Sequence, residues 1–230
     1  MPELHSYAIN YILSDDLESF RDLFLLYCGK PEKYCRTTVL SIVSQQGGPM
    51  YFLLEGMIKV YTTNPSGYIR ILGYHRQNTL FAMDRILPGE GSVVNTEAVT
   101  NVTILPVTWD SLNLIAEKEP QFMKTLLKYY GKVLRLMCYD AEVKSIDDVG
   151  IRMASFLCLI TRENKGNEML CIDLTQEELA SAVNASRVQI SRILSKFRKN
   201  GLIKTYRGGI ELLNREELSR MANERKQEAN

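Results

Sequence analysis

The nine residues "SRVQISRIL", Ser186 to Leu194, decide how the C-terminal third of this chain is read. At helical spacing Ile190 and Ile193 share one face, and Arg187 and Arg192 fall away from it. In the wider stretch "LTQEELASAVNASRVQISRILSKFRKNGLI", Thr175 with Glu178 and Ser186 with Gln189 each fit a capping box, so two short helices start independently. Between them Asn184-Ala185 leaves room only for a tight corner, and Asn is the non-glycine residue that best tolerates a left-handed backbone. Leu179, Ala180, Val183, Ile190, Ile193, Leu194 and Phe197 would face inward, with small Ala180 where the two helices cross. Capping, turn length and apolar spacing agree on a helix-turn-helix.

The outward side then carries Arg187, Val188, Ser191, Arg192 and Ser195. Guanidinium forks, hydroxyls and a methyl-bearing side chain suit base edges in a major groove. Lys196, Lys199 and Lys204 would sit nearer the phosphates and add affinity without reading sequence. The candidate DNA-contacting set is therefore Thr175, Gln176, Ser186, Arg187, Val188, Gln189, Ser191, Arg192 and Lys196. "LIKTYRGGIELL" reads as a β-hairpin turning at Gly208-Gly209, a wing beside the second helix.

Charge supports this reading. The net charge of +1 conceals a stretch from Ser186 to Arg207 in which Arg187, Arg192, Lys196, Arg198, Lys199, Lys204 and Arg207 meet no acidic residue. A polyanionic partner follows. The 230 residues are 45% hydrophobic and 24% charged, without a run of about 18 apolar residues that could span a bilayer. "MPELHSYAIN" has no basic and apolar leader pattern, so the expected location is cytoplasmic. Cysteines 28, 35, 138, 158 and 171 form no CxxC or Cys/His cluster, which argues against a disulfide framework, zinc or iron–sulfur. His5 and His75 are the only histidines, and no nucleophile motif or phosphate-binding glycine loop accompanies them, so no catalytic set can be nominated.

From Thr37 to Pro106 short β-type runs, "TTVLSIV", "MYFLLEG", "MIKVYT", "YIRILGY" and "EAVTNVTILPV", are broken by glycine and proline turns, indicating an antiparallel roll. A long helix from about Pro120 to Ser145 follows, with Met123, Leu126, Tyr130, Val133 and Met137 at alternating steps of three and four, the seam of a two-stranded coiled coil. "SIDDVG" at 145–150 interrupts the apolar pattern before a further helix, "IRMASFLCLITREN". The expected organisation is α+β: a sensing β-roll over 1–118, a dimerisation helix over 119–147 and a winged helix-turn-helix over 148–230.

With "YFLLEGMIKVY", "DDVGIRMASFL" and "LTQEELASAVNASRVQISRIL" in place, nearly the whole chain resembles the Crp/Fnr family of bacterial transcription regulators. The resemblance implies a cyclic-nucleotide-binding-like jelly roll, a homodimer on a palindromic promoter site, contact with RNA polymerase and a small-molecule effector in the roll. Cyclic-nucleotide binders of the family carry Gly-Glu and Arg-Ser or Arg-Thr pairs; the matching positions here read Ala82-Met83 and Ser92-Val93, so cAMP is disfavoured. Its oxygen sensors use a cysteine cluster and its carbon monoxide sensors a Cys-x-His, where this chain has Ala82-Met83-Asp84, so iron–sulfur and haem are disfavoured too.

The chain is most similar in motif to the halophenol-responsive branch, sharing Asn78-Thr79-Leu80, and Val188, Ser191 and Arg192 in the second helix. That resemblance places Tyr74, Phe81, Ala82, Met83, Tyr129, Tyr130 and Lys132 around an effector, Lys132 matching a lysine that the branch supplies from the partner's long helix; Gly73 and Met83 replace a tyrosine and a lysine of the branch, which implies a different, less acidic ligand. Where the Fnr-type subgroup has Glu this chain has Val188, which can touch a thymine methyl but cannot accept from cytosine, so an A·T pair is expected there, with Arg192 on guanine or phosphate. The competing reading is a ligand-binding signalling module whose helix-turn-helix docks a protein.

Overall fold

The computed structural model describes residues 11–43, 47–64, 69–86, 90–144, 148–164, 167–170, 174–206 and 209–223. Gly208, Arg207, His5, Cys171 and residues 145–147, which carry expectations above, lie outside them. The chain divides into two compact units, Tyr11–Arg135 and Leu136–Asn230.

The first unit is a roll of two sheets. Strands β1 (Ile12–Leu13), β2 (Glu32–Tyr34), β3 (Val39–Ser41), β4 (Met50–Glu55), β5 (Met57–Thr63), β6 (Ile69–Arg76), β7 (Thr79–Phe81), β8 (Asn95–Ala98) and β9 (Val102–Val107) order as β1-β6-β5-β8-β3 and β2-β9-β4-β7. All described pairings in the two sheets are antiparallel except β1 on β6. Alternation directs Leu53, Ile58, Ala98 and Ile104 between the sheets, where they meet Phe81 and Ala82. The β4–β5 corner needs Gly56: its φ is +92°, and a Cβ there would lie 2.3 Å from the Asn101 carbonyl oxygen.

Helices α1 (Arg21–Tyr27), α2 (Trp109–Lys118) and the start of α3 (Gln121–Lys144) close the other side of the β2-β9-β4-β7 sheet. Phe24 stacks on Phe52 at 4.0 Å between centroids and meets Phe122 edge-on at 5.7 Å. Leu126 and Tyr129 join that core, with Tyr130 and Val133 packed partly against it. This corrects the expected seam: Leu126 and Val133 serve the chain's own roll. Among the described residues, the large apolar side chains of α3 left in solvent are Met123, Leu127 and Leu134, the last two 68% and 64% exposed.

The second unit holds α4 (Val149–Ile160), β10 (Thr161–Asn164), β11 (Asn167–Leu170), α5 (Gln176–Val183), α6 (Arg187–Lys199), β12 (Ile203–Tyr206), β13 (Gly209–Leu212) and α7 (Arg215–Asn223). The sheet order is β10-β11-β13-β12. The helix expected to run through "ITREN" stops at Ile160, because residues 161–164 pair with β11 instead. The Thr161 hydroxyl donates to the Leu157 carbonyl at 2.7 Å and so closes the last turn. Met153, Ala154, Phe156, Leu157 and Ile160 bury α4 in this unit's core.

Candidate nucleic-acid interface and effector region

Both capping boxes form. Glu178 N–H donates to Thr175 Oγ1 at 3.1 Å and Thr175 N–H to Glu178 Oε2 at 2.8 Å; Gln189 N–H donates to Ser186 Oγ at 3.2 Å and Ser186 N–H to Gln189 Oε1 at 2.9 Å. Asn184 takes the left-handed conformation, φ 53° and ψ 57°, and turns the chain between α5 and α6. Leu179, Ala180, Val183, Ile190, Leu194 and Phe197 are buried, and Ile193 partly so.

The outward row is thereby sorted. The Thr175 and Ser186 hydroxyls and the Gln189 amide are engaged in caps that orient the two helices. Gln176 is half-buried in the first turn of α5. Arg187 reaches back to Glu177, Nη1 to Oε1 at 2.9 Å, with both side chains largely exposed. Val188, Ser191, Arg192 and Lys196 stand in solvent, and among the described residues no acidic side chain pairs with Arg192 or Lys196. The hairpin β12–β13 follows, with Arg198 Nη1 donating to Thr205 Oγ1 at 3.4 Å and Lys204 Nζ 5.0 Å from the Tyr206 ring centre.

Sequence reasoning missed the residue that ties this arrangement to α4. Arg152 is buried, and its Nε donates to the Val183 carbonyl at 2.8 Å and its Nη2 to the Asn184 carbonyl at 3.0 Å. These carbonyls belong to the C-terminal end of α5, where cations are favoured. A lone arginine among the apolar residues of "IRMASFL" was the available signal.

Within a single chain, the seven residues nominated around an effector are spread over both cores and the surface. Phe81 stacks on Tyr51 at 5.3 Å in the core between the sheets, beside Ala82, whose φ of 53° is unusual for alanine. Met83, Tyr129 and Tyr130 belong to the second core, under the helices. Tyr74 pairs with Lys59 and lies on the opposite face from His75, which pairs with inward-facing Ile58; Tyr74 packs instead beside Tyr11, 6.1 Å between centroids. Lys132 is exposed and ion-paired with Asp16 of its own chain.

His75 is the inward residue of that strand. Tyr129 Oη donates to the Leu80 carbonyl at 2.6 Å and sits 3.0 Å from His75 Nδ1, from which it can accept. Burial pushes the imidazole down to about 4 despite the opposing influence of the Leu80 carbonyl. Burial, and then the Asp16 carboxylate, hold the Tyr129 phenol well above its ordinary value. The shared triplet is architectural: Asn78, at φ 58°, accepts from Arg21 Nη1 at 2.7 Å and donates to Asp15 Oδ1 at 2.9 Å, and Thr79 Oγ1 donates to the Arg76 carbonyl at 2.6 Å.

Residues 151–221 match the Crp-like helix-turn-helix domain, and residues 31–119 match the cyclic nucleotide-binding domain. The chain belongs to the Crp/Fnr family of transcription regulators. It is 23% identical over 197 residues to the CRP-like cAMP-activated global transcriptional regulator of Mycobacterium tuberculosis, which takes in 84% of this chain and 88% of that one. Two solved structures share its fold. One is a CooA variant from Carboxydothermus hydrogenoformans, with a TM-score of 0.76 and 17% identity over 92% of this chain and 100% of the other. The second, a CprK variant complexed with OCPA, has a TM-score of 0.71 and 16% identity over 89% and 93%. These likenesses show the fold and do not single out the halophenol-responsive branch. A Crp-like helix-turn-helix makes α5 and α6 a DNA-binding element, so this Crp/Fnr protein is a DNA-binding regulator of transcription. No helix among the described residues is long and apolar enough to cross a membrane.

Proposed function

We propose that this Crp/Fnr regulator binds a palindromic promoter site as a homodimer, senses a small molecule in its β-roll and contacts RNA polymerase from the bound site. In this reading 1–118 senses, 119–147 joins two copies and 148–230 reads DNA. The observation that carries it is the exposed row Val188, Ser191, Arg192 and Lys196 on a helix whose other face is buried. Val188, Ser191 and Arg192 reach base edges; Arg187 and Lys196 lie at the phosphates; Thr175, Gln176, Ser186 and Gln189 fix the helix starts against the backbone. Dimerisation is supported by the exposed Met123, Leu127 and Leu134 on α3.

The effector is a molecule other than cAMP, a haem ligand or oxygen. Ala82-Met83 and Ser92-Val93 supply neither the arginine nor the glutamate that a cyclic nucleotide asks for. A halophenol-type role for Lys132 meets competition from Asp16. Phe81, Ala82, Met83, Tyr129 and Tyr130 stay within the proposed sensing region, with His75 in place of Tyr74.

Gel-shift titration at 50 and 200 mM salt tests the reading. Six or more phosphate contacts per dimer predict a loss of about a thousandfold in affinity between them. Absence of duplex binding, or binding indifferent to salt, refutes it, and indifference to salt is the behaviour of a helix-turn-helix that docks protein.

A further inference from the structure

Asp84 sits in a 3-10 turn, Met83–Ile86, directly after β7 and residue 82. Its Oδ2 accepts from Val93 N–H at 2.7 Å and lies 2.7 Å from Ser92 Oγ. The Ser92 hydroxyl is also 2.8 Å from the Val94 carbonyl and 3.4 Å from Ser41 Oγ. Ser41 and Ser92 are buried, and Ser41 faces Thr96 across the β3–β8 ladder. Thr96 shares the inward side of β8 with Ala98, opposite Val60, and is fully buried. Two polar groups in this cluster are left over: among the described residues the Asp84 Oδ1 acceptor and the Thr96 hydroxyl, which can donate or accept, are enclosed without a hydrogen-bond partner. Among the described residues no lysine or arginine forms an ion pair with Asp84.

An amide N–H beside a hydroxyl makes a cradle for an anion. Here the chain's own carboxylate fills it. An incoming phosphate or carboxylate would find those donors taken and a like charge in place, whereas an N–H donor would find the Asp84 Oδ1 with no competitor, and Ser92 and Ser41 link this carboxylate to the Thr96 hydroxyl. The Tyr130 phenol, raised by burial and then by the Asp84 charge, marks α3 as a neighbour of this carboxylate.

We propose that Asp84 converts this corner of the roll into a site for a small organic cation bearing N–H donors, of the amidinium or ammonium class, and excludes anionic ligands. The inference rests on the reading of the roll as the effector-binding part and names the ligand class for it.

Benzamidine, benzamide and benzoate form a charge series of nearly constant shape. Calorimetric titration and thermal shift on the full chain would compare them, with cAMP as a further anion. Benzamidine is expected to bind at least tenfold more tightly than benzamide and to raise Tm, with no response to benzoate or cAMP. Asp84→Asn should erase the preference for benzamidine over benzamide. Thr96→Val, which keeps the shape and removes only the hydroxyl, should weaken benzamidine several-fold and decides the matter if Asp84→Asn does not fold by Trp109 fluorescence. Equal or tighter binding of benzoate or cAMP, binding of none of the probes, or a benzamidine preference that survives in a folded variant overturns the inference. Salt-dependent duplex binding measured alongside separates the two failures: DNA binding without amidinium selectivity removes this inference alone, and no DNA binding removes the regulator reading.

Discussion

Replacing Arg152 by methionine removes a buried guanidinium and leaves a side chain of similar length. Two charge-assisted bonds disappear, to the Val183 carbonyl at 2.8 Å and the Asn184 carbonyl at 3.0 Å. Each is worth ~1.5–3 kcal/mol when a charged partner is involved, so the turn between α5 and α6 should lose about 3 kcal/mol at the lower bound. At ~1.4 kcal/mol per decade, that is roughly a hundredfold rise in local opening. Amide hydrogen exchange of Val183, Ala185 and Ile190 reads this opening directly, and fluorescence anisotropy with a duplex reads its consequence for α6. Arg152→Met should exchange about a hundredfold faster at these amides and bind DNA at least tenfold more weakly. Arg152→Lys should fall between, because one ammonium keeps the charge but loses the planar fork that reaches two carbonyls. Exchange within threefold of the wild type, with an unchanged Kd, would show that the turn holds itself and that the clamp does not position α6.

Val188→Glu should move selection from a random duplex library toward a G·C pair at one position of each half-site, by about 1–3 kcal/mol of discrimination; identical selected sites would refute the assignment. Leu127→Glu with Leu134→Glu should convert a dimer into a folded monomer by sedimentation, since each leucine contributes about 2 kcal/mol when buried, whereas Leu126→Glu should unfold the roll. A persistent dimer in the first variant would place the interface elsewhere. His75, at about 4 in the folded chain against an ordinary 6.5, makes stability fall with pH: between those values the unfolded chain takes up a proton that the folded chain refuses. Urea unfolding followed by Trp109, which lies in α2, should lose up to about 3 kcal/mol from pH 7 to pH 4 through this group, and His75→Gln should flatten that dependence.

The helix-turn-helix was legible because its determinants are local. Thr175 with Glu178, Ser186 with Gln189, and Asn184 each act within one turn of themselves, so pattern and structure coincide. The roll was legible only as strands. Ile12–Leu13 is too short to show a period, and residues 161–164 continue a helical pattern that pairing with β11 overrides. Around the effector region, a strand's faces alternate residue by residue, so displacement by a single position exchanges inward for outward. That is the difference between Tyr74 and His75. The partners of Arg152, Asp84 and Asp16 were not legible, because they lie 31, 8 and 116 residues away in sequence and follow no spacing rule.

The long helix shows how pattern and packing divide the work. Steps of three and four from Met123 are satisfied equally by Leu126 and Val133 or by Leu127 and Leu134, each set ending at Met137. Both lines run along one rod and both are apolar, so periodicity cannot choose between them. Burial can. Leu126 is held in the core with Phe122 and Tyr129 and is committed before any partner arrives, while Leu127 and Leu134, seven residues apart, remain in water. Two such leucines at heptad spacing on a helix otherwise lined by Lys124, Lys128 and Arg135 form a narrow stripe that only another surface can cover. In the proposed homodimer a second copy of the same helix would offer that stripe in matching register, so the residues that anchor α3 to its own roll would also fix which face it presents for pairing.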